Sequence, residues 1–311
     1  IRPVNSQELN SQMIINLYED RRGNMWIASY RNGIYRFNGF ELKHISEEDG
    51  LAERSVHCFS EARYGNVFLG SDAGLQIINS EGRIVQIPEY DNYVILSMIM
   101  IGDDLWMGTN GRGVIHTSVA EPGKYDRISQ YDSKNGLNND IVMFLCKGRN
   151  GFFAGTNAGI NDINLSEFKT KNIVNILPFN EYDNFGGLET TQGSGFVDNH
   201  GRLWAGTTDG LVVYDPTKNV NRPAENINIL RGLKIFFEDR DISEYGIQNP
   251  VNHLIPLELE LPYNYNHITF EFSGLNYANP TYVRYKYMLE GADEKYSPAT
   301  NKNNATYSNL P

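Results

Sequence analysis

The sequence predicts an all-β protein, on three observations. Glycine is abundant at 29 residues and tyrosine at 19, while long stretches with helical apolar spacing are missing. One motif of aromatic, small residue, hydroxyl, glycine and aliphatic residue recurs five times. The rest of the chain reads as short apolar or alternating runs separated by Gly, Asn, Asp and Pro.

The 311 residues suffice for two domains at roughly 100–200 residues each. Apolar residues make up 40% and aromatics 12%, too much for a disordered chain. With 27 Lys and Arg against 38 Asp and Glu, the formal net charge is −11 and no basic block is present. Such a chain is poorly suited to a nucleic-acid backbone. The longest apolar run, Tyr93 to Ile101, is interrupted by Ser97 and falls far short of the roughly 20 residues of a membrane span. Cys58 and Cys146 lie 88 residues apart in strand-like runs and read as two small buried side chains, not a disulfide.

The five repeats begin at Gly23, Gly65, Asp104, Gly151 and Gly201. Their aromatic anchors are Trp26, Phe68, Trp106, Phe153 and Trp204, spaced 42, 38, 47 and 51 residues apart. Each column has a physical reason. The leading Gly reverses the chain between strands. The aromatic fills the wedge between neighbouring sheets. Two residues on, Ala28, Gly70, Gly108, Gly155 and Gly206 allow a close approach of backbone. The hydroxyls of Ser29, Ser71, Thr109, Thr156 and Thr207 can bond the next turn. The later glycine supplies a positive φ, and an aliphatic residue restarts the strand.

Each repeat also has a preceding strand-like run: Met13 to Asp20, Ser55 to Glu61, Tyr93 to Ile101, and Ile141 to Lys147. A further run follows, as in Phe40 to Ile45 and Arg83 to Ile87. Four short strands per period of about 40–45 residues make a β-propeller blade. Five blades are recognisable over residues 1–215, expected to be part of a larger propeller.

The blocks Gly-Asn-Met-Trp-Ile-Ala-Ser at 23–29, Leu-Trp-Met-Gly-Thr at 105–109 and Leu-Trp-Ala-Gly-Thr-Thr-Asp-Gly-Leu at 203–211 resemble the two-component regulator propeller repeat. So do the lead-ins Asp49-Gly50-Leu51 and Asn135-Gly136-Leu137-Asn138-Asn139-Asp140-Ile141-Val142.

Residues 216–226 are polar, carry Pro223 and read as a linker. Residues 227–311 then present the runs Ile227 to Phe237, Leu254 to Leu261, His267 to Phe272 and Tyr282 to Leu289, expected as strands of an immunoglobulin-like β-sandwich. Ile268 to Ser273, Leu275-Asn276-Tyr277 and Tyr285 to Gly291 resemble the triple-tyrosine (Y_Y_Y) domain, which follows the propeller in that family. A tryptophan common past the Leu-Glu-Gly is absent, the nearest aromatic being Tyr296. The chain ends at Pro311 where the family continues, so the sandwich is expected to be C-terminally incomplete.

The resemblance implies the periplasmic sensor region of a hybrid two-component system. Such a region binds a signal, often an oligosaccharide, and passes it to a histidine kinase through membrane segments outside these residues. It implies a homodimer, no cofactor, no nucleic-acid partner and no catalysis in this stretch.

The residues support no catalytic assignment of their own. The six histidines are scattered, without His-x-x-x-His or zinc spacing, so no metal site is expected. The rival from another class is a glycoside hydrolase on a five-bladed propeller, which needs two carboxylates facing each other. Glu19, Asp20 and Glu61 are its candidates, but they sit just before hairpin turns, at the strand ends away from a central pocket. A scaffold or dimerisation module without a small ligand is the other alternative.

A ligand is expected at the face formed by the loops entering each blade and the hairpins between second and third strands. The candidates are Tyr30, Arg31, Arg54, Asp72, Asn110, Arg112, Asn138, Asn157 and Asp209. Such Arg, Asn, Asp and Tyr side chains suit sugar hydroxyls, and Arg suits an acidic sugar. The same residues are also ordinary turn formers. Trp26, Trp106 and Trp204 read as inter-blade core instead of sugar platforms.

Overall fold

The computed structural model describes residues 9, 12–125, 127–180, 189–218, 227–250, 255–275, 283, 285–298, 300 and 302–310. The chain forms two compact units, Ile1–Asn219 and Val220–Pro311.

The first unit is a series of small antiparallel sheets in which every strand pairs with its neighbour in sequence. The first sheet holds β1 (Ile14–Glu19), β2 (Met25–Ser29), β3 (Ile34–Phe37) and β4 (Leu42–Ile45). The second holds β5 (Val56–Glu61), β6 (Val67–Ser71), β7 (Gly74–Ile78) and β8 (Ile84–Gln86). The third is β9 (Ile95–Ile101), β10 (Asp104–Thr109), β11 (Val114–Ser118) and β12 (Arg127–Tyr131). The fourth is β13 (Val142–Lys147), β14 (Gly151–Thr156), β15 (Gly159–Asn164) and β16 (Asn175–Phe179). The fifth shows β17 (Thr190–Val197), β18 (Leu203–Thr207) and β19 (Gly210–Tyr214). A single helix turn, α1 (Phe168–Lys171), interrupts the fourth sheet. This is the blade architecture that the period predicts.

The core lies between sheets, not within one. Trp26 packs with Phe59 and Leu69 of the second blade, Phe68 with Leu105 and Met107 of the third, and Trp106 with Phe152 and Ala154 of the fourth. Phe153 packs with Leu203 and Ala205 of the fifth. Burying one such aromatic contributes roughly 1.5–3 kcal/mol over leaving it exposed. The aliphatic column after the turn glycine shows the same logic. Ile34, Leu75, Val114 and Ile160 are each 0% exposed beneath the next blade, whereas Leu211 of the fifth blade is 65% exposed.

The small column is required by crowding. A Cβ on Gly70 would lie 2.6 Å from Cys58 Sγ, and one on Gly155 would lie 2.2 Å from the Phe144 ring. The turn glycines Gly33, Gly74, Gly113, Gly159 and Gly210 all have positive φ, as that column predicts. Ser71, Thr109, Thr156 and Thr207 each donate to the carbonyl of that glycine at 2.7–3.2 Å. Ser29 departs from the pattern: its hydroxyl turns to Gln12 Oε1 at 3.1 Å.

The first strand of each of the first four sheets carries a one-residue bulge near its start, at Ile15, His57, Leu96 and Met143. A bulge re-aims the side chain at its centre. The lead-ins are short 3-10 turns. Ser46 and Asp132 cap Glu47–Asp49 and Ser133–Asn135, and Gly50 and Gly136 close them in the left-handed region.

Among its described residues, the second unit holds one antiparallel sheet in the order β21-β20-β22-β23, from β20 (Ile227–Ile235), β21 (Glu238–Asp239), β22 (Ile268–Leu275) and β23 (Asn304–Tyr307). Two of the expected strand runs become strands. The first stops at Ile235, because Phe236 and Phe237 adopt φ of 54° and 66° and form a two-residue hairpin turn. Among the described residues, the run at 254–261 contributes only the bridge Ile247↔Leu257; Pro256 lacks a ladder donor within it and Pro262 follows directly after it. Among the described residues, the run at 282–289 contributes only the bridge Tyr285↔Thr300. Leu254, Asn276, Tyr277, Tyr282 and linker residues 219–226 lie outside the described residues.

Candidate functional site

The first strands of all five blades meet at a cavity of about 420 Å³, lined by Ile15, His57, Leu96, Phe144 and Gln192 among others. Three of these, Ile15, His57 and Leu96, are bulge residues, so the bulges supply part of its wall. The lining runs from the starts of β1, β5 and β9 to the middle of β13 and β17. Gln192 donates to the Leu96 carbonyl at 3.4 Å, linking the fifth blade to the third.

Backbone hydrogen bonds bring those entry loops against the hairpins between second and third strands. Tyr30 donates to Met13, Asp72 to Ser55, Asn110 to Val94 and Thr208 to Glu189, at 2.8–3.4 Å. Successive blades are tied in the same way: Gly33 donates to the Arg54 carbonyl, and Gly111 and Gly113 both donate to that of Asp140. The two sets of loops named from the sequence thus form one rim.

The candidate residues occupy that rim in different ways. Arg31, at φ 55°, lays its guanidinium 5.0 Å from the Tyr30 ring centre, and Arg112 lies 4.7 Å from that of Tyr93. Tyr30 is exposed beside the Arg31 cation, whereas Tyr93 is buried beneath Arg112, which leaves the guanidinium as the exposed part of the second pair. Arg54 is engaged with Glu47 at 2.7 Å. Asp72 Oδ1 lies 2.8 Å from His57 Nε2, and since a carboxylate only accepts, Nε2 carries the hydrogen. Asn110 and Asp209 sit at hairpin tips. Asn157 has a buried side-chain oxygen with no partner among the described residues. Asn138 is spent on structure: its amide donates to the carbonyls of Ile160 and Phe179 at 2.9 and 2.8 Å.

Sequence reasoning missed His57 and Gln192 in the cavity wall. It also missed Gln76 and Asn161, buried side chains that hold the entry loops. Gln76 accepts from Ala52 N at 3.0 Å, and Asn161 accepts from Asn138 N at 3.0 Å. A polar residue at that point of the third strand, where the other blades differ, is the only signal the sequence offers.

The opposite ends of the first strands carry the acids weighed for glycoside hydrolysis. Asp20 accepts from the backbone of Arg22 and Asn24, from the Asn24 amide and from the Trp26 indole, at 2.8–3.0 Å. Burial works to raise its pKa, but those donors prevail and hold it below the usual carboxylate value. Glu61 accepts from Arg21 N at 2.9 Å. Both carboxylates shape hairpin turns at the far end from the cavity.

Burial raises both thiols, that of Cys146 to about 12, which makes them poor nucleophiles. Among the described residues no group of three or more His, Cys, Asp or Glu could hold a metal ion. No described helix is long and apolar enough to cross a membrane.

The family model described as Two component regulator propeller matches residues 8–31, which run from the chain before β1 through β2 into the following hairpin. These residues carry a two component regulator propeller repeat. Among solved structures, the chain is similar to the extracellular domain of the hybrid two component system BT3049 from B. thetaiotaomicron, at 20% identity and a TM-score of 0.62 over 100% of this chain and 42% of that one. It is also similar to the extracellular domain of the hybrid two component system BT4673 from the same organism, at 16% identity and a TM-score of 0.54 over 96% of this chain and 52% of that one. At these identities the likeness shows the fold. The chain spans less than half of the first domain and about half of the second. No curated protein sequence matches it.

Proposed function

We propose that this chain is part of an extracytoplasmic sensor region of a hybrid two-component system, one that recognises an oligosaccharide at the propeller mouth. The cavity carries the reading: the first strands of five blades line it, and the hairpins bonded to the loops that enter those strands carry Arg31 beside the exposed Tyr30 and Arg112 over Tyr93. An exposed aromatic ring at Tyr30 with arginine donors nearby suits a sugar's apolar face and hydroxyl edges. The propeller repeat at residues 8–31 and the shared fold with sensor ectodomains support it. The periplasm is its compartment, a homodimer its working form, and a histidine kinase its downstream partner. A ligand that binds one of two ectodomain states more tightly shifts their balance, and that shift is the signal.

The glycoside hydrolase reading is disfavoured by Asp20 and Glu61, which are committed to turns. Calorimetric titration with a panel of neutral and acidic oligosaccharides tests the sensor reading. Saturable binding without release of reducing ends supports it; steady turnover, or no binding across the panel, overturns it.

A further inference from the structure

The turn between first and second strands is built alike in three blades. Residue 20, 62 or 198 donates its amide to the carbonyl four residues on, and the turn glycine donates back. Two of those positions hold Asp20 and Asp198, each gathering the turn's amides and an indole N–H. The fourth blade is different. Its turn closes one residue sooner, from Gly148 N to the Gly151 carbonyl, and glycine stands where the acid would be. Lys147 and Arg149 flank it instead.

This turn forms one wall of a groove of about 230 Å³ between the third and fourth blades, on the side away from the mouth. Lys147, Arg149 and Lys169 line the groove together with one carboxylate, Asp104, and Ile101 and Phe168 give apolar surface. Among the described residues none of these three cations enters an ion pair. The nearby acids are already committed. Asp104 lies 2.9 Å from His116 Nε2, Asp103 pairs with Arg63 at 3.1 Å, and Glu167 pairs with Lys171 at 2.8 Å. The wall is pinned as well: Leu165 N donates to the Asn150 carbonyl at 2.8 Å. A Cβ on Gly151 would lie 1.9 Å from the Ile163 carbonyl oxygen, so the strand passes close there.

Three cations without ion-pair partners against the one carboxylate of Asp104 leave this groove net positive in a chain of net charge −11, which favours an anion there. We propose that this groove is a binding site for a tetrahedral oxyanion, a sulfate or phosphate group, carried on a small organic body that rests on Phe168. Arg149 grips the anion through its planar fork, and the two lysines add charge. The site is separate from the mouth and stands whether or not the mouth binds oligosaccharides.

The test is calorimetric titration of the full chain with glucose 6-sulfate, glucose 6-phosphate and glucose. The variants are R149Q, R149K and the triple variant K147Q/R149Q/K169Q. These side chains are exposed, and unchanged melting temperatures confirm that the variants fold. Binding of at least one charged sugar, with glucose silent, is expected. The triple variant weakens it by roughly tenfold or more, R149K retains part of the affinity, and added salt weakens the wild type more than the triple variant. The preferred anion distinguishes a sulfated from a phosphorylated ligand. Equal binding by wild type and triple variant overturns the proposal, as does failure of both charged sugars to bind at millimolar concentration.

Discussion

Asp20 Oδ2 accepts the indole N–H of Trp26 at 2.9 Å, which joins the turn at the foot of the first blade to the wedge between the first two blades. The fifth blade repeats the bond between Asp198 and Trp204 at 3.0 Å. In the third blade no acid stands six residues before Trp106, and that indole nitrogen is buried without a partner among the described residues.

Asp20→Ala removes one carboxylate and strands the buried Trp26 N–H. A loss of about 2–3 kcal/mol is expected from urea unfolding at neutral pH. The wild type carries a pH signature too. Because the folded pKa of Asp20 is lowered, its contribution is complete above the unfolded value of about 4 and is lost as pH falls through the folded one. The stability difference between wild type and D20A should therefore shrink below about pH 4. A difference independent of pH in that range contradicts the assignment.

Gly155→Ala places a methyl 2.2 Å from the Phe144 ring and should cost about 1–3 kcal/mol. Pairing it with Phe144→Leu should recover part of that loss, since the smaller side chain vacates the space. Thermal unfolding of the two single variants and the double variant checks it. Strict additivity would show that crowding by Phe144 is not the cause.

Asn138→Ala should destabilise by about 1–3 kcal/mol, because two carbonyls lose their donor. Asp209→Ala, at an exposed tip, should stay within about 0.5 kcal/mol of wild type. Chemical denaturation separates the two. Equal small effects would return Asn138 to the ligand-binding residues.

The blade was legible where a column encodes local backbone geometry. Gly74 and Gly159 announce positive φ, and Ser71 and Thr156 announce the bond to the same turn. The wedge role of Trp106 was legible because only a large aromatic fills the space between splayed sheets. What depends on distant partners was not. His57 enters the cavity wall through a bulge that leaves no composition of its own, and Asn138 finds carbonyls 22 and 41 residues away. In the second unit, apolar content alone suggested a strand at 254–261, where Pro256 denies the ladder a donor. The cationic turn at Lys147 and Arg149 stands out only beside the turns of the first and fifth blades, where Asp20 and Asp198 hold the same place.

The mouth as a ligand site is tested most directly by titrating the oligosaccharide panel into the wild type and into an Arg31→Ala, Arg112→Ala double variant. At least one oligosaccharide is expected to bind the wild type, and the double variant to bind it at least tenfold more weakly with an unchanged melting temperature. Undiminished affinity in that variant would place recognition away from these hairpins and overturn the mouth as the ligand site.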